Sequence, residues 1–122
     1  MGERDAMTRD EMRARTKTYA SCIVKLCSAL PNNWVAQILG RQPLRSGTSV
    51  GANYRAVCRA KSNSDFINKL RIVEEECDES LFWMELLVDN LLVKPSRLSD
   101  LMKEADEILA IVVASAKTAR TS

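Results

Sequence analysis

Arg41, Arg45, Arg55 and Arg59 are the residues whose type and spacing most plainly invite a charged partner. On a helix turning about 100° per residue, all four lie within about 40° of Arg41. Thr48 and Ala52 fill the same stripe. A straight helix would extend this ridge over about 27 Å. Guanidinium groups in a row suit two kinds of partner. One is the phosphate backbone of RNA or DNA. The other is a set of carboxylates on a neighbouring helix, since a guanidinium binds a carboxylate through two parallel hydrogen bonds. Glu75, Asp78, Glu85 and Asp89, with Glu79 at their edge, offer such a face downstream. The carboxylate reading ranks first, because the ridge carries no interleaved aromatics on which bases could stack.

Two further patterns point to contact rather than catalysis. Gln42, Ser46, Ser49 and Asn53 follow i, i+4, i+7, i+11 and form a polar seam on one face of a continuous helix. Polar groups inside a bundle need partners, because unpaired burial costs a few kcal/mol each. Those partners are expected on the third and fourth helices or on a second subunit. Gly47 and Gly51 lie between the seam residues. Each costs about 1 kcal/mol of helix propensity against alanine, so a close approach by another backbone is expected there. Ile72, Trp83 and Leu86, beside Glu76 and Glu79, form an apolar strip off the main core stripe of their helix. Such strips mark interfaces. A subunit contact is expected, with an arginine from a neighbour's second helix as partner. A ligand pocket ranks behind it.

Enzymatic chemistry finds no support. There is no histidine, so Ser46 and Ser49 have no imidazole base. Glu74, Glu75, Glu76, Asp78 and Glu79 are dense in carboxylates, but consecutive helical residues point in different directions. Di-metal bundles also require Glu-x-x-His pairs. Cys22, Cys27, Cys58 and Cys77 contain no C-x-x-C and sit in apolar surroundings, which reads as buried reduced thiols. No catalytic residue, cofactor or metal is expected, and the chain reads as non-enzymatic.

These patterns must be held by helices. The chain has 122 residues and 46% apolar content, enough for one domain with a real core. Four glycines and three prolines are too few for a turn-rich β-sandwich. A first amphipathic helix is expected from about Glu11 to Pro31, with Met12, Tyr19, Ile23, Leu26 and Leu30 inward. Asn32 or Asn33 can cap the second. Gly40 and Pro43 interrupt that helix, which either breaks or, the preferred reading, continues with a kink to about Ala60. Ser62 and Asp65 have capping-box spacing for a third helix, Asn63 to Leu92. Its expected core stripe is Phe66, Leu70, Val73, Cys77, Leu81, Met84, Val88 and Leu91. Pro95 suits the first turn of a fourth helix, ending near Lys117–Arg120. The fold expected is all-α, an antiparallel up-and-down four-helix bundle over residues 11–120. Residues 1–10 read as a flexible tip, with Met7 an alternative start. No secretory pattern and no apolar run of about 18 residues is present, so no membrane association and a cytoplasmic location are expected. A net charge of +2 is too small to argue a polyanion partner by itself.

The runs LRSGTSVGANYRA, CRAKSNSDFINKL and IVEEECDESLFWMELL resemble the four helix bundle protein family. That family includes proteins encoded by intervening sequences in bacterial large-subunit rRNA genes. The resemblance covers Thr16–Arg120. It extends, less closely, to the accessory variability-determinant proteins of diversity-generating retroelements. It implies four antiparallel helices and a ring-shaped homo-oligomer, typically a pentamer. For the retroelement relatives it implies binding of nucleic acid and reverse transcriptase through a basic surface. For the intervening-sequence branch it implies no established activity. The positions matching the family's motif are Arg45, Ser49, Asn53, Arg59, Phe66, Glu79 and Trp83. Ala56 stands where the family usually has a carboxylate, so any ion pair through that position is in doubt here.

Overall fold

The computed structural model describes residues 7–122; residues 1–6, most of the expected flexible tip, lie outside the described residues. Four helices follow in order: α1 Arg9–Ser28, α2 Trp34–Val57, α3 Asn63–Asp89 and α4 Pro95–Arg120. They form an antiparallel up-and-down bundle with short connections. α1 packs on α2, α2 on α3 and α3 on α4, while the closing α1–α4 seam is the sparsest.

Local signals explain the helix starts. α1 opens two residues before Glu11, because Thr8 and Glu11 form a reciprocal capping box. Asn33 caps α2 through the Ala36 amide at 2.8 Å, and Ser62 caps α3 through the Asp65 amide at 3.0 Å. Pro95 stands in the first turn of α4, where its missing N–H would have had no helical partner anyway.

α2 runs unbroken through Gly40 and Pro43. It ends at Val57, three residues earlier than expected, so Arg59 lies in the following turn. α3 also stops three residues early. The Leu92 amide donates to the Leu87 carbonyl (2.9 Å) and the Leu91 amide to the Val88 carbonyl (3.0 Å). This is a Schellman closure with Leu91 at the left-handed position, φ 61°, where glycine is usual. Leu91 is therefore not core; it is 89% exposed. Ser80 and Leu87 are buried in α3, while Phe66, Leu81 and Val88 are only half-buried at its edges. Leu91→Gly should raise stability by about 1 kcal/mol, since a left-handed leucine costs that much and its side chain buries nothing. A urea titration will show the gain as a higher midpoint at unchanged slope.

A polar thread crosses the core. Ser80 Oγ donates to the Cys77 carbonyl at 2.7 Å, so its one proton is committed. Tyr19 must then donate to Ser80 Oγ, also at 2.7 Å. Burial pushes the Tyr19 phenol well above its ordinary pKa, so it remains a donor. The Cys77 thiol donates to the Ala105 carbonyl on α4 at 3.5 Å. Ser80→Ala should cost about 1–3 kcal/mol by orphaning the buried phenol. Tyr19→Phe in the same chain should recover part of that loss in thermal melts.

Candidate assembly face and basic surfaces

α2 presents three faces. Gly47 and Gly51 meet α1, and Gly40 meets Leu30 just past its end. A β-carbon on Gly47 would stand 2.6 Å from Ile23 Cγ1, and one on Gly51 would stand 3.1 Å from the Thr16 carbonyl oxygen. Backbone therefore nearly meets backbone at Gly51, as expected, whereas at Gly47 it is the Ile23 side chain that comes close. Gly40, whose missing β-carbon leaves room for the Leu30 side chain, is a further close contact that sequence reasoning missed. Ser46, Val50, Tyr54 and Val57 face the core.

The polar seam behaves differently from expectation. Ser46 Oγ donates to the Gln42 carbonyl (2.8 Å), Ser49 Oγ to the Arg45 carbonyl (2.7 Å) and Asn53 Nδ2 to the Ser49 carbonyl (2.8 Å). None of these donors reaches α3 or α4. Short polar side chains four residues along a helix bond back to their own backbone without help from a neighbour. Only Ser46 is fully buried; Gln42, Ser49 and Asn53 are half-buried.

The arginine ridge divides. Arg45 binds Glu76 (3.3 Å) and Glu79 on α3, and Trp83 Nε1 donates to the same Glu79 at 3.3 Å. Glu79, at the edge of the carboxylate face expected to serve the ridge, does pair with it, while among the described residues Glu75, Asp78, Glu85 and Asp89 make no ion pair with it. The arginine expected from a neighbouring subunit is supplied within the chain. Among the described residues Arg41, Arg55 and Arg59 make no ion pair and are exposed. Arg55 instead borders a groove of about 600 Å³ between α1 and α2, where Arg13 and Lys17 join it with Asp10. Nothing in the sequence tied Arg13 or Lys17 to that arginine.

Around the Arg45–Glu76–Glu79 cluster the α2–α3 surface also exposes large apolar side chains. Ile72, Ile38 and Phe82 are 43%, 50% and 50% exposed, and Trp34 is 74% exposed. Trp83 and Leu86 are half-buried, and Phe82 meets the Trp83 ring edge-on at 5.0 Å. The antiparallel register set by Arg45 with Glu76 and Glu79 runs the first turns of α2 alongside Trp83 and Leu86. Phe82 and the start of α2 were not read as part of this strip, because each sits on a different helix face from the Ile72–Trp83–Leu86 line.

Across the bundle, Arg15 clasps α4 through Glu104 (2.6 and 2.8 Å) and Glu107 (2.6 Å). Beyond this clasp the α1–α4 seam opens into a cleft of about 410 Å³ lined by Tyr19, Cys22, Leu26 and Leu101, with Lys25, Arg97 and Asp100 among its polar residues. Cys22 is consequently exposed, contrary to the expectation that all four thiols are buried; Cys27 and Cys58 are half-buried and only Cys77 is buried. Burial pushes the Cys27 thiol up to about 11 and Cys77 up to about 12, so neither is a thiolate nucleophile at neutral pH.

Among the described residues no group of three or more His, Cys, Asp or Glu side chains could hold a metal ion, and no helix is long and apolar enough to cross a membrane. Four antiparallel helices with short connections define the class of all-α up-and-down four-helix bundles. The chain belongs to the 23S rRNA-intervening sequence protein family, whose sequence profile matches residues 10–114. It is also similar to a crystal structure from Bacteroides thetaiotaomicron, a protein of unknown function from the S23 ribosomal protein family. The two share 32% identity with a TM-score of 0.82, over 91% of this chain and 99% of that one. No curated protein matches the chain.

Proposed function

We propose that this chain is a non-enzymatic building block of a homo-oligomeric helical scaffold. It assembles through the outer face of α2 and α3. The observation that carries this reading is the apolar surface formed by Ile38, Ile72, Phe82, Trp83 and Leu86 around the Arg45–Glu79 pair. Large side chains left this open in one chain gain by burial against another copy, at roughly 25 cal/mol per Å² of apolar surface removed from water. Five subunits is the ring size the sequence resemblance implies. The scaffold belongs in the cytoplasm, where its unpaired thiols stay reduced. Size-exclusion chromatography with light scattering at micromolar concentration tests it; a 13.7 kDa particle overturns it.

A second reading is an RNA- or DNA-binding accessory. It is favoured by Arg41, Arg55 and Arg59, exposed and without an ion pair among the described residues, and by Arg13 and Lys17 beside Arg55. It predicts that fluorescence anisotropy with a labelled RNA or DNA duplex shows binding that weakens with salt. Arg55→Ala with Arg59→Ala should weaken it at every sequence and flatten the salt slope by about 2. Absence of binding at low salt rejects this reading.

A further inference from the structure

We propose that the open α1–α4 seam binds a free medium-chain carboxylate, its acyl chain lying in the trough and its head held by Lys25, Lys94 and Arg97. This goes beyond the assembly reading and does not depend on it, because the seam lies across the bundle from the α2–α3 face.

Packing leaves the room. α1 and α4 touch less than any other neighbouring pair, and beyond the Arg15 clasp they part. The cleft of about 410 Å³ has Tyr19, Leu26 and Leu101 in its apolar lining, and its volume is that of a small-molecule site. A second hollow of about 260 Å³, with Leu30, Leu92 and Val93 in its wall, shares Leu26 and Arg97 with the first. The two therefore form one trough. From Tyr19 to Ala29 it follows roughly 15 Å of α1. The Tyr19 hydroxyl is engaged with Ser80, so an apolar occupant leaves it satisfied.

The charges set the sign of the head. Lys25 on α1, with Lys94 and Arg97 at the start of α4, borders the trough, and none of the three has an ion pair among the described residues. Against them stands Asp100; Glu104, farther along α4, is already bound by Arg15. The excess is positive and lies toward the connecting loops. A carboxylate belongs at that end, and its chain runs over Leu26 toward Tyr19 and the Arg15 clasp. Burial of methylenes supplies the affinity, and the cations select an anionic head over a cationic one.

Isothermal titration of the full chain with sodium dodecanoate, below its micelle concentration, tests this. Dodecanoate should bind saturably, one per chain. Dodecyltrimethylammonium, the same chain with a cationic head, should bind about tenfold more weakly. Lys25→Gln/Arg97→Gln changes two exposed side chains, so the fold is kept, and it should weaken dodecanoate about fivefold. Ile72→Glu/Phe82→Glu should bind dodecanoate as the wild type does, which separates the trough from the exposed apolar residues of α2 and α3. Cys22 is exposed on the trough wall, so saturating dodecanoate should slow its alkylation by iodoacetamide about fivefold, read by peptide mass spectrometry. Absence of saturable binding overturns the inference. So does a Lys25→Gln/Arg97→Gln chain that binds like the wild type, or Cys22 alkylation that dodecanoate leaves unchanged. A Cys22 that reacts no faster than the half-buried Cys27 in the ligand-free chain would give the trough to a second copy, and that overturns it as well.

Discussion

Valine in place of Gly47 is expected to cost about 3 kcal/mol and lower the melting temperature by about 10–15 °C. A β-carbon there falls 2.6 Å from Ile23 Cγ1 and 2.9 Å from Ile23 Cγ2. Ile23 is fully buried and branched at its own β-carbon, so it cannot rotate clear. Either α1 moves away from α2 or the core loses its density. Alanine is the milder probe. It recovers about 1 kcal/mol of helix propensity but still meets the same two atoms. Adding Ile23→Ala removes both of those contacts, so the Gly47→Ala/Ile23→Ala chain should lose less stability than the two single changes summed. A double-mutant cycle by urea titration reads this coupling. Were Gly47→Val to melt with the wild type, the close α1–α2 approach would be wrong.

The Ile72→Glu/Phe82→Glu chain is expected to be monomeric at concentrations where the wild type assembles. Burying two added carboxylates at the centre of an apolar contact costs on the order of 4 kcal/mol, about a thousandfold in Kd. Both positions are exposed in the single chain, so the bundle itself should keep its melting temperature to within a few degrees. That separation of assembly from folding makes the pair informative. Light scattering across a concentration series, with circular dichroism on the same samples, measures both. An oligomer of unchanged mass would place the contact elsewhere on the bundle. Arg45 should be left intact in this experiment, since its pairing with Glu76 and Glu79 joins α2 to α3 within the chain.

Both predictions rest on surfaces that were only partly legible beforehand. The four helices could be read because apolar periodicity, capping residues and proline positions are local properties. Thr8 with Glu11 shows the limit: the capping box was present in the residues, yet the charged run around it read as a loose tip. The end of α3 shows another. Leu91 continued the apolar period, but the chain turned there through a left-handed leucine that no periodicity announces.

The amino-acid sequence by itself determined the helical bundle, the absence of histidine, the family resemblance and the close backbone approach at Gly51. Composition, short motifs and helical wheels carried these, because each is a property of the sequence that needs no second helix to be placed. Only the tertiary structure decided which charges meet. It gave Arg45 to Glu76 and Glu79, left Arg41, Arg55 and Arg59 without an ion pair among the described residues, and brought Arg15 to Glu104 and Glu107 across 89 and 92 residues of chain. It returned the seam hydroxyls and the Asn53 amide to their own helix, and it opened the α1–α4 seam around Cys22. The physical reason is common to all of these. A side chain's partner depends on the rotation and register of a second helix, and those are set by how the glycine and apolar faces pack, not by spacing along one strand of sequence.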